Sequence, residues 1–271
     1  MYSISTVISS DKLKVIGTRI CETCGSEVKV ISTSFAGKDM EVSQCLACES
    51  KRIEDECNRF FAEQKKRKAA EIFERYSFIS DDLKEATFDN YVPDHESKVE
   101  AKKKAMWYAS NFEKIANKQY DFQSLLFIGG FGLGKSHLAY SIAEAVKQQG
   151  YTTIFMDTPS LLRVIRESYD KNSKFTESEI LEACFKADLL VLDDIGAEYV
   201  KNDGSESWAT DKLFQVIYSR MGKPTIYTTN YSSSELIDKY GQSAGGRIVS
   251  RMAKGTKIVK FEGKDYRTRG F

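Results

Sequence analysis

The sequence predicts an α/β protein, a parallel five-stranded sheet flanked by helices, preceded by a small cysteine-rich module and a helical linker. Three observations predict it. Five strand-like stretches, Ser124 to Ile128, Tyr151 to Met156, Ala187 to Leu192, Pro224 to Thr229 and Thr256 to Phe261, the first and third of them apolar runs, are separated by stretches of helical periodicity, as parallel strands joined by crossover helices require. The first run leads into Gly129-Gly130-Phe131-Gly132-Leu133-Gly134-Lys135-Ser136, which fits the G-x-x-x-x-G-K-[ST] phosphate-binding pattern with a strand before it and a helix after it. The first fifty residues hold two C-x-x-C pairs, which sets a second, metal-dependent unit apart from the sheet.

Composition bounds the rest. An apolar content of 41% with 12% aromatics is ordinary for a globular protein. No run of eighteen apolar residues is present, so no bilayer-spanning helix and no membrane partner are expected. Met1 to Lys14 lacks the basic start, apolar middle and small-residue cleavage site of a secretory leader, which predicts a cytoplasmic protein. Forty basic residues against thirty-nine acidic ones give a net charge of +1, so any nucleic-acid contact must be local.

In the cysteine module, Cys21-Glu22-Thr23-Cys24 and Cys45-Leu46-Ala47-Cys48 have the spacing C-x2-C, twenty residues, C-x2-C, inside the zinc-site template. Val28 to Ser32 and Met40 to Ser43 alternate apolar and polar residues around a turn near Gly37, so a β-hairpin brings the two pairs together. Four thiolates complete a tetrahedral shell with no open position, which predicts structural Zn2+ at Cys21, Cys24, Cys45 and Cys48. Iron–sulfur ligation and a redox dithiol are the competing readings, although clusters show closer or three-plus-one spacing and a redox pair sits at the end of a βαβ strand. Cys57 and Cys184 are expected as plain buried or half-buried thiols.

From Glu49 to Phe78 the chain reads as one amphipathic helix. Its run Lys65-Lys66-Arg67-Lys68 is either a solvated face or a nucleic-acid contact. Its apolar side, with Ile53, Phe60, Phe61, Ala69, Ile72 and Phe73, needs a surface to lie on, in this chain or in a partner. Periodicity fades over residues 77–84. The expected division is a zinc-binding partner module at 1–50, a helical linker at 51–85 and a nucleotide-binding domain at 86–271.

Within that domain Ala86 to Tyr91 and a turn at Pro93-Asp94 precede a helix from Glu96 to Phe112. In the phosphate loop the backbone N–H groups of Gly130 to Lys135 would wrap the phosphates of ATP or ADP, aided by the positive end of the next helix. Lys135 would reach the β and γ phosphates, and Ser136 would hold a position on Mg2+. His137 follows on the first helical turn, where packing is its simpler role; His95 needs none. The helix ends at Gly150 as a left-handed cap would have it. Leu161, Leu162, Val164 and Ile165 mark the next helix, and Phe175 to Phe185 another.

The strand Ala187 to Leu192 ends in Asp193-Asp194, at the sheet edge where open α/β folds bind ligands. Asp193 would hold Mg2+ through a water and Asp194 would orient or deprotonate the attacking water; capping of the next loop is the plainer alternative. A helix over Thr210 to Met221 precedes the strand that ends at Asn230, whose amide could hold the attacking water or the γ phosphate, or simply make a turn. Arg247 and Arg251 lie four apart on one helix face, suited either to surface ion pairs or to stabilising phosphoryl-transfer charge in a neighbouring subunit. The tail Lys264 to Arg269 closes the chain.

Taken together, Thr87-Phe88-Asp89-Asn90-Tyr91, the loop Gly129 to Ser136, Leu189 to Ala197, Thr228-Thr229-Asn230 and the Arg247/Arg251 pair resemble the bacterial helicase loaders of the DnaC/DnaI type, AAA+ ATPases of the IstB/DnaC branch. The resemblance covers residues 86 to 270; the cysteine module is similar to that of DnaI-type loaders through its cysteines and position only. It implies that Lys135 and Ser136 belong to Walker A, Asp193 and Asp194 to Walker B, Asn230 to sensor 1, and Arg251, with Arg247 its competitor, to the arginine finger. It further implies an N-terminal module that grips the replicative DnaB-type helicase, an ATP-bridged oligomer, and single-stranded DNA contacts over Pro159 to Phe185 through Arg163, Arg166, Lys171 and Lys174. Many AAA+ proteins have Glu where this chain has Asp194, which implies slow basal hydrolysis. Competing readings are an IstB-type transposition helper acting on duplex DNA, a small-molecule kinase, for which no acceptor pocket or lid is marked, and a non-catalytic adaptor ordered by ATP.

Overall fold

In a computed structural model of the chain, residues 14–35, 38–199 and 207–268 are described. The hairpin turn at Gly37, the stretch before Lys14 and Arg269 lie outside them. The chain forms two compact units, Met1–Gln64 and Lys65–Phe271.

In the first unit β1 (Lys14–Ile20), β2 (Glu27–Phe35) and β3 (Lys38–Val42) form an antiparallel sheet in that order. The hairpin β2–β3 follows the alternation in the sequence. Strand β1 does not show there, because Gly17 interrupts its period at a register shift and every residue of it is exposed. Among the described residues of this unit only Cys21, Val28 and Cys45 are buried as a cluster, too few to stabilise a sheet by apolar burial alone. Helix α1 (Leu46–Tyr76) begins at the second cysteine pair, and the division between the units falls within it. Cys57, expected at least half buried, is exposed on α1, whereas Cys184 is buried; Cys57 lies in the charged part of that helix, of which only Ala69 and Phe73 are buried.

The second unit contains α2 (Asp81–Lys84), α3 (Glu96–Ser110), α4 (Phe112–Ala116), β4 (Ser124–Ile128), α5 (Lys135–Gln148), β5 (Thr153–Asp157), α6 (Thr158–Glu167), α7 (Glu177–Lys186), β6 (Leu189–Ile195), α8 (Trp208–Ser219), β7 (Thr225–Thr229), α9 (Ser233–Tyr240), α10 (Gln242–Ala253), β8 (Thr256–Lys260) and a 3-10 turn at Tyr266–Thr268. Its five strands are all parallel, in the order β5-β6-β7-β4-β8. Strand residues alternate between two cores. Phe127, Phe155 and Val191 meet Leu138 and Ile142 of α5 and Tyr108 and Phe112 of the preceding helices on one face. Leu126, Ile154, Leu190 and Leu192 meet Leu161, Leu213, Ile217, Ile248 and Met252 on the other.

Gly150 takes φ 91°, as its place at the end of α5 predicts. Strand β6 carries Asp193 and Asp194 at its carboxyl end, as the sequence predicts, and runs one residue further to Ile195, with a register shift against β7 between Leu192 and Ile195 that absorbs an extra residue. Helix α9 has no counterpart in the sequence reading, although Ser232 and Glu235 form a capping box at its start, a pattern legible in sequence.

Candidate nucleotide site and cysteine cluster

The carboxyl ends of β4, β6 and β7 bring the phosphate loop, both aspartates and Asn230 to one cavity of about 760 Å³. The loop bends through Gly132 and Gly134 at φ 61° and 83°, conformations that side chains rarely adopt. Space also demands glycine: a Cβ on Gly134 would come within 2.5 Å of the Tyr91 ring. Lys135 begins α5 and is 6% exposed. Its Nζ donates to Gly129 O at 2.9 Å, Gly130 O at 2.6 Å and Asn230 Oδ1 at 2.7 Å. Burial lowers its pKa to about 8, against the pull of Asp194 and Asp193.

Asp193, 6% exposed, accepts from Thr228 Oγ1 at 2.5 Å and is hydrogen-bonded by the Ser136 side chain. Burial pushes its carboxyl up to about 6 despite those bonds, and the charges of Asp194 and Asp157 add to the rise. Asp194 stands at φ 55°. Its N–H donates to Thr228 Oγ1 at 2.8 Å, and its Oδ1 accepts from Asn230 Nδ2 at 2.7 Å. Its carboxyl is also raised by burial, with Lys135 opposing.

The rim holds Phe131 and His137, which the sequence reading placed with the nucleotide-binding residues, and Tyr91, Tyr266 and Arg267, which it did not single out as site residues. The Tyr91 hydroxyl donates to Leu133 O at 3.3 Å, and its ring meets His137 edge-on at 5.2 Å. His137 Nε2 lies 2.7 Å from Thr87 O, which ties the segment before α3 to the loop. From the other side Tyr266 N–H donates to Gly132 O at 3.0 Å, and Arg267 and Phe131 line the cavity. Thr228 enters the sequence reading only within the run Thr228-Thr229-Asn230, with no role assigned to it.

Arg247 and Arg251 do not line this cavity. They lie over Phe214 and Tyr218 of α8, at 5.0 and 5.9 Å from the ring centres. Arg163 pairs with Glu167 at 3.1 Å, Arg166 lies over Trp208 at 5.0 Å, and Lys171 and Lys174 are exposed.

In the first unit the four predicted cysteines converge. Cys21 and Cys48 sulfurs are 3.6 Å apart, Cys24 and Cys45 3.5 Å, and all four lie within 4.8 Å of one another. Tetrahedral Zn–S bonds of about 2.3 Å put sulfurs ~3.8 Å apart, so the set fits Zn2+. Backbone hydrogen bonds from Cys24 and Thr23 hold the Cys21 thiol below its usual range, and side-chain and backbone hydrogen bonds at Ser26 hold Cys24 down at about 6. Both favour the thiolate that a metal requires, whereas hydrogen bonds shared with Cys24, Cys21 and Cys45 push Cys48 up to about 12.

Among the described residues no helix is long and apolar enough to cross a membrane. The replicative helicase loader DnaC of Escherichia coli (strain K12) is 27% identical over 187 residues, 68% of this chain and 69% of that protein. The replicative helicase loader DnaI of Bacillus subtilis (strain 168) is 26% identical over 202 residues, 70% and 61% of the two chains. An ATP-binding protein of insertion sequence IS5376 from Geobacillus stearothermophilus is 32% identical over 149 residues, 54% and 56%. The crystal structure of a DnaC helicase loader matches with a TM-score of 0.55 at 24% identity over 68% of this chain and all of that one, which gives the second unit the AAA+ fold. The description of IstB-like ATP-binding proteins matches residues 44–270, and the chain belongs to that family.

Proposed function

We propose that this protein is an ATP-dependent loader that delivers a replicative hexameric helicase onto single-stranded DNA. The observation that carries the reading is the convergence of Lys135, Ser136, Asp193, Asp194 and Asn230 on one cavity in a chain whose relatives include proteins named replicative helicase loaders. ATP would supply the phosphoanhydride and Mg2+ its counter-charge. Lys135 would exchange Asn230 Oδ1 among its present acceptors for β and γ phosphate oxygens. Ser136 and Asp193 hold the metal, Asp194 orients the attacking water, and Asn230 fixes Asp194.

Arg251, or Arg247, serves the site of a neighbouring subunit; their place outside their own chain's cavity supports a role in trans. Residues 1–50 form the helicase grip, 51–85 link it, and 86–271 bind nucleotide. Zn2+ holds the grip together. Arg163, Arg166, Lys171 and Lys174 are candidates for phosphate contacts with DNA, which would make affinity fall steeply with salt.

A second reading, a transposition helper on duplex DNA, is supported by the insertion-sequence relative. Retention of the host's replicative helicase by the immobilised full chain, with hydrolysis measured with and without single-stranded DNA, separates the two. Helicase capture with ATP or without it sustains the loader. Duplex-DNA binding without helicase capture replaces it with the transposition helper.

A further inference from the structure

Strands β6 and β7 pair in register from Leu190↔Thr225 to Leu192↔Tyr227 and regain register only at Ile195↔Thr229. Three steps on β6 therefore span two on β7. The extra residue lies in the stretch where Asp194 takes φ 55°, a left-handed conformation that aspartate tolerates better than most residues but does not prefer.

A single buried hydroxyl bridges this bulge. Thr228, 1% exposed, donates from Oγ1 to Asp193 Oδ1 at 2.5 Å and accepts from the Asp194 N–H at 2.8 Å. A hydroxyl has one proton and two lone pairs, so both bonds form at once. One fixes the orientation of the first carboxylate, and the other fixes the backbone that carries the second.

We infer that Thr228 is a positioning residue that sets the Asp193/Asp194 pair for Mg2+ and water. This rests on the proposed ATPase reading of the site. Serine keeps both bonds. Valine keeps the shape and loses both.

The adjacent Thr229 provides a matched control. It is fully buried, its Oγ1 donates to Ile195 O at 2.6 Å and accepts from Tyr231 N at 3.2 Å, yet it touches neither carboxylate. Loss of its hydroxyl removes the same kind of bond from the same strand.

The test uses the full chain and N-methylanthraniloyl-ATP, a fluorescent nucleotide, titrated with Mg2+ after a baseline in EDTA, with thermal midpoints recorded in parallel. Thr228→Val is expected to raise the Mg2+ concentration for half-maximal tightening by about tenfold, the worth of one charge-assisted hydrogen bond. Its affinity in EDTA stays within about twofold, and Thr228→Ser stays within about threefold of the parent throughout. Thr228→Cys, a weaker donor and acceptor, shifts in the same direction by less and stands in if the valine variant does not fold.

Thr229→Val is expected to lower the midpoint while keeping the parental Mg2+ dependence. A parental Mg2+ response in Thr228→Val, or an equal shift in Thr229→Val, overturns the inference. Asp193→Asn separates the two levels: if it also leaves Mg2+ dependence unchanged, the reading of the site falls and takes Thr228 with it. If it shifts while Thr228→Val does not, Thr228 alone is wrong.

Discussion

Replacing Arg220 by Met removes a heavily bonded side chain at the amino ends of the strands, opposite the nucleotide cavity. Arg220 follows α8 and is 1% exposed. Its guanidinium donates to the carbonyls of Cys184 at 3.2 Å and Phe185 at 3.1 Å in the last turn of α7, and to Ala187 at 2.6 Å and Asp188 at 3.5 Å before β6. It also reaches Pro224 O at 2.5 Å and Thr225 Oγ1 at 3.2 Å, where β7 starts. The negative end of α7 and these carbonyls solvate a charge that has left water.

Methionine fills much of the volume but leaves the acceptors unpaired, at about 1–3 kcal/mol for each one that cannot relax or find water. Because they are shared and partly relax, the total falls near the 3–5 kcal/mol typical of breaking a buried ionic interaction. For a unit of this size that is a drop of roughly 6–20 °C in midpoint. Both tryptophans, Trp107 and Trp208, lie in the second unit, so intrinsic fluorescence in urea or on heating follows it alone. Seven residues of β6 put Arg220 about 20 Å from the cavity, so nucleotide affinity below the transition is unchanged. A loss under about 1 kcal/mol would refute the assignment of these bonds as structural. A fall in nucleotide affinity would refute the separation of the two strand ends.

Other perturbations have defined outcomes. Chelation of the full chain should melt the sheet β1–β3, whose buried cluster is two cysteines and one valine, with tryptophan-reported unfolding unchanged; native mass spectrometry should show one Zn2+ leaving. Asp193→Asn should stabilise the nucleotide-free protein. The folded carboxyl is raised to about 6 from 3.8, so between these values the unfolded chain has released a proton that the folded chain keeps. Stability therefore falls as pH rises through that window. The variant should gain up to about 3 kcal/mol at pH 7 and almost nothing near pH 3; an equal gain at both would point to a packing effect. Asp194→Glu should raise basal hydrolysis, since the longer carboxylate reaches farther toward the attacking water, and an unchanged rate would count against Asp194 as the group that orients it.

Much of the fold is legible in sequence because buried parallel strands leave continuous apolar runs: β4 begins and ends where the run Ser124 to Ile128 does. The phosphate loop is legible because glycines are needed at φ values and approaches that few other residues accept. What escapes is set by tertiary contact. Strand β1 is exposed along its length and broken by Gly17, so period two never emerges. The bulge at Asp194 depends on pairing with β7, and a run of apolar residues ending in two aspartates reads as a strand that stops. Tyr91 and Tyr266 belong to the rim only because segments some 40 and 130 residues away from the loop fold back onto it, a closeness that no local pattern encodes.

The three protons of the Lys135 ammonium are all engaged, two by loop carbonyls and one by Asn230, so a phosphate oxygen must displace at least one acceptor. Asn230 is the acceptor with a second commitment. Its Oδ1 faces Lys135 while its Nδ2 holds Asp194 Oδ1, and the amide cannot turn without breaking both bonds. Drawing the ammonium toward a phosphate frees the amide oxygen and leaves the grip on Asp194 in place. The side chain is therefore placed to act on turnover more than on affinity. Asn230→Ala should bind nucleotide within about threefold of the parent, since Lys135 loses a competitor for its protons, yet hydrolyse about a hundredfold more slowly because Asp194 loses the side-chain hydrogen bond that orients it. If affinity falls in step with turnover, Asn230 serves to bind the phosphates, and the link from Lys135 to Asp194 is a feature of the nucleotide-free protein alone.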